Sequence, residues 1–207
     1  MSVVIEETEL SILELRQVVV DFMSSLGTLK AEEIEELADI IQVRQFKKGT
    51  ILYKDGENWD NCYFVLKGAL RQYLMIDGVE KTTQFFFEYE SAVKFTNFEY
   101  KNINDTCLTC MEDSILMIGN LDPKEEAEIY KKYPILQQMD KQSTEQDLAK
   151  AQEMLTSYIT LSAEERYLQL ITDRPDILQR VPQNQIASYI GITAESLSRI
   201  KKRIVTK

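Results

Sequence analysis

The spacing of apolar residues changes along the chain and divides it into three parts. Residues 9–25 and 28–41 carry apolar side chains at helical spacing and predict two helices. Between residues 43 and 118, short β-rich runs alternate with glycine turns, and Asp77-Gly78 is a strong hairpin signal. Strands of this length and spacing are typical of a sandwich or barrel. The predicted strands are 62–66, 70–76, 81–87, 106–111 and 114–118.

A helical pattern resumes at Pro123 and is interrupted at Tyr133-Pro134. Residues 135–159 contain no Gly or Pro, which predicts one helix about 37 Å long. Its second half carries apolar residues at 3-4-3 spacing, a seam against which another helix can pack. The seam either joins two copies of the chain or packs on the chain's own β-domain, and its residues are Leu148, Ala151, Leu155 and Tyr158.

Two further helices are predicted near the C-terminus, around a glycine turn. Ser162 and Glu165 have the spacing of a capping box and start the preceding helix. Gly191 suits the left-handed conformation that ends a helix, and Thr193 suits the N-cap of the next one. The inward apolar positions are Ile186, Ala187, Ile190, Ile192, Leu197 and Ile200. This is the layout of a helix-turn-helix that reads DNA, although an αα-corner built for stability has the same pattern.

The distribution of charge favours the DNA-binding interpretation. The chain has a formal net charge of −10, but residues 162–207 hold eight Lys or Arg against five acids, a net of +3. The remaining 161 residues therefore carry −13. An acidic body repels DNA and leaves the basic C-terminal part to approach it.

Several classes of protein are disfavoured by what the chain lacks. It contains no histidine, no Walker loop and no Gly-x-Gly-x-x-Gly, so we expect no catalytic residues, no metal site and no enzyme. Three cysteines cannot build a disulfide framework. No apolar stretch reaches the length of a membrane helix and no signal peptide is recognisable, so we expect a cytoplasmic protein without membrane contact.

Motifs spread over nearly the whole chain resemble the cyclic-AMP receptor protein / FNR superfamily of bacterial transcription regulators. They are residues 46–57, 63–73, 162–167 and 181–200. The resemblance implies an α+β fold: an N-terminal double-stranded β-helix (a jelly-roll-like β-roll) with flanking helices, a long central dimerisation helix and a small C-terminal helix-turn-helix domain. The implied domains are a sensor β-roll at 1–134, a dimerisation helix at 135–160 and a DNA-binding domain at 161–207. The implied partners are a second copy of the chain, a palindromic promoter site and RNA polymerase.

By this resemblance, Glu195 and Arg199 fall on positions of the recognition helix that touch bases. A carboxylate can accept from cytosine, and a guanidinium can bond guanine bidentately. Glu195 can alternatively stabilise only the helix dipole. Lys201, Lys202 and Arg203 are expected on phosphates, and Thr193, Ala194, Ser196 and Ser198 complete the predicted DNA-binding surface. Relatives often continue with a β-hairpin wing, for which too few residues follow Arg199, so we expect a truncated wing.

The ligand pocket departs from the pattern of cyclic-AMP binders. Those proteins carry a Gly-Glu pair and then an Arg-Ser or Arg-Thr pair, where this chain shows Glu90-Ser91 and Asn104-Asp105-Thr106. An acid beside a phosphate costs several kcal/mol in a poorly solvated pocket, so cyclic AMP is not expected as the effector. The aromatic residues between positions 85 and 100 are either core or an apolar pocket for another effector. We expect no cofactor.

Cys107 and Cys110 raise the question of a redox or metal site. FNR-type iron–sulfur sensors use four thiolates, and this chain has three. Residues three apart in a strand point to opposite faces, so buried core cysteines are the favoured interpretation. The leading functional hypothesis is a homodimeric transcription regulator. Its rivals are a small-molecule-sensing or protein-interaction module with a vestigial DNA-binding motif, and a thiol-based redox sensor.

Overall fold

A computed structural model describes residues 10–54, 61–92, 106–120 and 123–206. Within these ranges the helices are α1 (Ile12–Ser25), α2 (Ala31–Ile40), α3 (Pro123–Lys132), α4 (Pro134–Thr160), α5 (Ala163–Asp173), α6 (Ile177–Arg180), α7 (Gln183–Tyr189) and α8 (Ala194–Thr206). The strands are β1 (Gln42–Phe46), β2 (Ile51–Tyr53), β3 (Asn61–Lys67), β4 (Leu70–Ile76), β5 (Val79–Phe86), β6 (Ser91–Ala92), β7 (Thr106–Cys110) and β8 (Ser114–Asn120). In the described part of the chain, no helix is both long and apolar enough to cross a bilayer.

The strands form two four-stranded antiparallel sheets that face each other. The first sheet has the order β1-β8-β3-β6 and the second β2-β7-β4-β5. Their inner faces enclose a core because alternate side chains of each strand point between the sheets. This confirms the predicted α+β class with a jelly-roll-like β-roll. The buried members of the core are Tyr53, Tyr63, Val65, Leu70, Phe86, Ala92, Leu108, Cys110 and Leu116.

The outer face of the first sheet is covered by helices. The amphipathic faces of α1 and α2, with the start of α4, pack on residues of β3 and β8 that point away from the inner core. Ser11 and Glu14 form a capping box that starts α1. The buried residues of this layer are Val19, Phe22, Met23, Ile34, Leu37, Ala38, Leu66, Ile115 and Tyr133.

The outer face of the second sheet carries the C-terminal helices. Ala69, Phe85, Phe87 and Met111 from the β-roll share one apolar cluster with helices α5 to α8. The helix-turn-helix region therefore packs directly on the β-roll rather than on α4 alone. The helical members of the cluster are Tyr167, Ile177, Val181, Ile186, Ala187, Ile190, Leu197 and Ile200.

The predicted boundaries differ from the structure in a few places. The predicted strands agree to within about two residues, but β1, β2 and β6 had no predicted counterpart. The second helix begins at Ala31 rather than residue 28, because Lys30 is extended and acts as its N-cap. The central helix runs from Pro134 to Thr160, which gives about 40 Å at 1.5 Å per residue.

Gly68, between β3 and β4, allows a close approach that matters for the site. Its φ is +99°, and a Cβ there would meet the Ser114 side chain and lie 2.8 Å from the Asp113 carbonyl oxygen. Because glycine has no Cβ, the turn can lie close against the neighbouring strand. The Gly68 carbonyl oxygen is thereby presented toward the C-terminal helices, where Arg180 binds it at 3.0 Å.

Candidate nucleic-acid interface

The turn between α7 and α8 is a Schellman motif. The Ile192 N–H donates to the Ala187 carbonyl at 2.9 Å, and the Gly191 N–H donates to the Ser188 carbonyl at 3.1 Å. Gly191 has φ of +77°, as its position in the sequence predicts. The Thr193 hydroxyl then accepts from the Ser196 N–H at 3.2 Å and caps α8. These bonds fix the angle between the two helices.

The apolar side chains of both helices pack as the sequence predicts. Ile186, Ala187 and Ile190 are buried on the α7 side, and Leu197 and Ile200 are buried on the α8 side. Ile192 is partly buried against the same cluster. This packing is common to a helix-turn-helix and to a purely structural corner, so the outward surface must distinguish the two.

The outward surface of α8 is polar and accessible. Each predicted DNA-binding residue lies on it, either exposed or half-buried: Thr193, Ala194, Glu195, Ser196, Ser198, Arg199, Lys201, Lys202 and Arg203. The Arg199 guanidinium donates to the Ser196 hydroxyl at 3.0 Å, which orients it along the helix. A polar outer face is usual for any surface helix, so it is the identity of these side chains, above all Arg199 and Glu195, that fits DNA.

Predicted phosphate contacts on α8 already have partners within the chain. Arg203 pairs with Glu164 of α5 at 2.8 Å, and Lys201 donates to the Gln183 side chain at 3.0 Å. Glu195 is ionised more readily than usual: hydrogen bonds from its own N–H and from Thr193 lower its pKa, and Arg199 adds to the effect. The start of α8 therefore presents the Glu195 carboxylate in its first turn and the Arg199 guanidinium one turn later.

The end of α4 and the start of α5 bind the turn of the motif. The Tyr158 hydroxyl donates to the Tyr189 carbonyl at 2.5 Å. Arg166 donates to the Ile190 carbonyl at 3.2 and 3.1 Å and lies over the Tyr158 ring. These carbonyls end α7 and lack helical partners, so a hydroxyl and a cation satisfy them. Tyr158, predicted on the seam, thus makes an intrachain contact to the helix-turn-helix.

The rest of the predicted seam is exposed. Leu148 and Leu155 have exposed fractions of 60% and 64%, and Ala151 is also exposed. The alternative that the seam packs on its own β-domain is therefore wrong for these residues. Ile159, which is 76% exposed and four residues after Leu155, extends the same face and was not predicted.

Three of the five candidate ligand residues lie in the described structure: Glu90, Ser91 and Thr106. The Glu90 carboxylate accepts from the Phe87 N–H at 2.9 Å and pairs with Lys150 at 2.8 Å and Arg174 at 3.5 Å. Ser91 starts β6 and Thr106 starts β7, in different sheets. Asn104 and Asp105 lie outside the described residues. Glu90 thus joins the β-roll, α4 and α5.

The cysteines behave as core residues. Cys110 lies between the sheets with Leu108, and Cys107 has the opposite parity on β7 and is outside that cluster. Burial raises the pKa of Cys110 to about 11, so its thiol is protonated at neutral pH. Burial is also the main cause that raises the pKa of Cys62. Among the described residues, no group of His, Cys, Asp or Glu has the arrangement of a metal site.

The sequence and the fold were compared with those of known proteins. No family model matches the chain. It is 21% identical over 194 residues to the anaerobic regulatory protein of Haemophilus influenzae, covering 85% of this chain and 72% of that protein. It is 23% identical to the transcriptional regulatory protein btr of Bordetella pertussis, covering 84% and 76%. A CooA mutant from Carboxydothermus hydrogenoformans has the same fold, with a TM-score of 0.68 at 15% identity over 89% of this chain and 84% of that chain.

Over more than four fifths of its length the chain is similar to proteins named as transcription regulators, and it shares its fold with the CooA mutant. These similarities agree with the resemblance to the cyclic-AMP receptor protein / FNR superfamily. The names of the curated relatives support a DNA-binding transcription regulator and give weak support against an enzyme. Polar side chains join the β-roll to the C-terminal helices.

Arg180 is the main polar contact between these two parts, and sequence reasoning missed it. It bonds to Glu88 at 2.7 and 2.9 Å, to Glu112 at 2.9 Å through two nitrogens, and to the Gly68 carbonyl. Its guanidinium also lies 4.7 Å from the centre of the Phe87 ring. The two carboxylates come from turns of the β-roll far away in sequence, so no local pattern reveals them.

Ser188 makes a second junction between α7 and β5. Its hydroxyl accepts from the Thr82 N–H at 2.9 Å and lies 3.3 Å from the Glu80 carbonyl. The hydroxyl therefore satisfies backbone hydrogen-bonding groups of β5, which is the edge strand of the second sheet. A serine in this position of α7 has no distinguishing signal in the sequence.

Replacing Arg180 by methionine is expected to lower the free energy of unfolding by about 1–3 kcal/mol, because Glu88 and Glu112 are left facing each other in a half-buried site. Burial opposes ionisation of Glu88, but the hydrogen bonds from Arg180 and two backbone N–H groups outweigh it and lower its pKa. The stabilisation by the Arg180–Glu88 pair is therefore fully present above pH 4.3, which is about the pKa of glutamate in the unfolded chain. It is lost as the pH falls through the lower pKa that Glu88 has in the folded protein. Urea unfolding followed by circular dichroism, at neutral and acid pH, measures both effects.

Arg16→Met is the matched control, since Arg16 also bridges two acids, Glu35 and Asp39, but those acids are well exposed. We expect it to lower the free energy of unfolding clearly less than Arg180→Met does, because water screens exposed ion pairs. Equal losses for the two variants would contradict a special role for Arg180.

Proposed function

We propose that this protein is a sequence-specific DNA-binding transcription regulator that binds a palindromic site as a homodimer. The observation that carries the proposal is the outward face of α8, where Glu195 and Arg199 are exposed one turn apart on a helix fixed by a Schellman turn. A helix of this kind fits the major groove with its N-terminal residues toward base edges.

The roles of the α8 residues follow from their positions. Arg199 and Glu195 are suited to guanine and cytosine, respectively. Lys202, exposed two turns after the N-terminus of α8, is suited to a phosphate. Lys201 and Arg203 contact phosphates only after leaving Gln183 and Glu164, so their contribution to binding is smaller than their charge indicates.

The proposed dimer rests on an exposed apolar stripe along α4, formed by Leu148, Leu155 and Ile159. Leu148 and Leu155 are one heptad apart, the spacing at which two helices pack together. Burying these exposed apolar side chains of the 27-residue helix against a second copy is favourable, because it removes apolar surface from water. A two-fold dimer sets two recognition helices about 34 Å apart and requires a symmetric site.

Substitution of Arg199 by alanine is expected to reduce discrimination of the preferred sequence by about 1–3 kcal/mol per half-site, because the bidentate contact is lost. The operator is first recovered by selecting bound duplexes from a random library. Fluorescence anisotropy with this operator and with a scrambled duplex then measures the discrimination.

Lys202→Ala is the contrasting variant for that measurement. It is expected to weaken both duplexes alike and to reduce the salt slope by about 1, as loss of a phosphate contact does. Undiminished discrimination in Arg199→Ala would show that Arg199 does not read bases.

Leu155→Glu is expected to raise the dimer dissociation constant at least about a hundredfold, since one leucine in each protomer loses an apolar environment. Sedimentation equilibrium measures it. Thr156→Glu, one residue along and about 100° around the helix, introduces the same charge outside the stripe and should leave the dimer intact. A dimer that survives Leu155→Glu would place the interface elsewhere.

We further propose that cyclic AMP does not control this regulator. Glu90, the residue suited to a ribose hydroxyl, is paired with Lys150 and Arg174, so those cations are not available to a phosphate without breaking the pairs. Calorimetry with cyclic AMP at micromolar concentrations is expected to show no binding heat. A stoichiometric heat with low-micromolar affinity would overturn this proposal.

A further inference from the structure

A large cavity lies between the first sheet and the helices that cover it. Its volume is about 860 Å³, within the usual range for small-molecule sites. Its walls come from α1, α2, the outer faces of β3 and β8, and the α3–α4 corner. Apolar side chains dominate them, among which are Phe22, Leu26, Phe64, Met117, Ile129 and Leu136. Such walls favour an apolar body.

The two acids that line the cavity, Glu125 and Asp140, lie on α3 and α4. Tyr130 and Asp140 line it, and the Tyr130 hydroxyl donates to Glu126 at 2.9 Å. Burial, together with Glu126 and Asp140, raises the pKa of Tyr130, so the phenol keeps its proton. Glu125 also lines the cavity. This end of the cavity therefore carries concentrated negative charge.

The charge of the lining is one-sided. Of the described residues that line the cavity, two are acids and none is Lys or Arg. An anionic ligand would be repelled there, while a cation would gain from Asp140 and Glu125. This distinguishes the cavity from the junction around Glu90, where Lys150 and Arg174 supply positive charge.

Aromatic rings also line the cavity. Tyr89 lines it with 65% of its surface exposed, and its ring stacks on Phe22 at 5.5 Å between ring centres. Phe22 in turn contacts Phe64 at 5.1 Å between ring centres. Aromatic faces accept both an apolar chain and, where they are exposed, a cation.

We propose that this cavity binds an amphipathic cation, with an apolar chain between α1, α2 and the sheet and an ammonium head near Asp140 and Tyr130. The proposal goes beyond the proposed function, because binding depends on none of the DNA-contacting residues. The cavity and the helix-turn-helix nevertheless share one rigid element: α4 forms a wall through Leu136 and Met139 and binds the motif through Tyr158.

The test is calorimetric titration of the full chain, without DNA, with decylammonium, decanol and decanoate, which share one tail and differ in head charge. Decylammonium is expected to bind at one site per chain, and decanoate at least about tenfold more weakly, because the acids oppose it. Decanol should fall between them. Decanoate binding as tightly as decylammonium would overturn the proposal.

Two pairs of variants locate the site. Asp140→Asn is expected to narrow the difference between decylammonium and decanoate several-fold, whereas Glu145→Gln, at an exposed acid of α4 outside the lining, leaves it unchanged. Ser143→Phe fills the lining and should reduce decylammonium affinity at least about tenfold, while Thr144→Phe, on the adjacent exposed position, should not. If Asp140→Asn and Glu145→Gln changed the difference between decylammonium and decanoate equally, the site would lie elsewhere. If Ser143→Phe does not fold, the comparison of Asp140→Asn with Glu145→Gln tests the location alone.

The two proposals fail separately. Loss of operator discrimination in Arg199→Ala leaves decylammonium binding unaffected, and absence of decylammonium binding leaves the DNA measurements unaffected.

Discussion

The position of the C-terminal helices α6 to α8 on the β-roll depends on one guanidinium. Arg180 bonds to two carboxylates and a carbonyl of the β-roll, and Phe87 lies between it and Arg174, with ring distances of 4.7 and 4.6 Å. Lysine would be a poor replacement, because its ammonium group has three donors and no planar fork with which to bind both carboxylates bidentately. Ion pairs of this burial add little net stability but require one geometry. Arg180 therefore acts mainly by selecting one docking position within an apolar interface that by itself is less specific.

That docking has a consequence for any change of state. To reorient the helix-turn-helix, the protein must separate Arg180 from Glu88 and Glu112, release Ser188 from β5 and break the bond between Tyr158 and the Tyr189 carbonyl. A ligand can drive this only by the difference in its affinity for the two arrangements. A ligand that binds the two arrangements with different affinity is best placed on an element that contacts both the β-roll and the helix-turn-helix. Helix α4 is such an element.

The sequence predicted the local features of the motif well and the long-range ones poorly. Gly191, Thr193 and Leu197 were assigned correctly because their roles depend on neighbours within a few residues. Arg180 and Ser188 were missed because their partners lie 68 to 112 residues away and neither has a periodic signal. Strand β2 was missed because it has three residues, a register shift and an exposed isoleucine.

The pairing of charges within the C-terminal part affects how it can meet DNA. The acidic body carries −13 and the residues from 162 onward +3, which alone indicates simple attraction to phosphate. However, Arg203 is neutralised by Glu164, Lys201 is bound to Gln183, and Glu195 lies ionised in the first turn of α8. A phosphate must displace these partners, and the carboxylate of Glu195 repels it. In the proposed complex these internal pairs would weaken contacts to phosphates more than contacts to bases. They would then lower the affinity for DNA in general and raise the ratio of specific to non-specific binding.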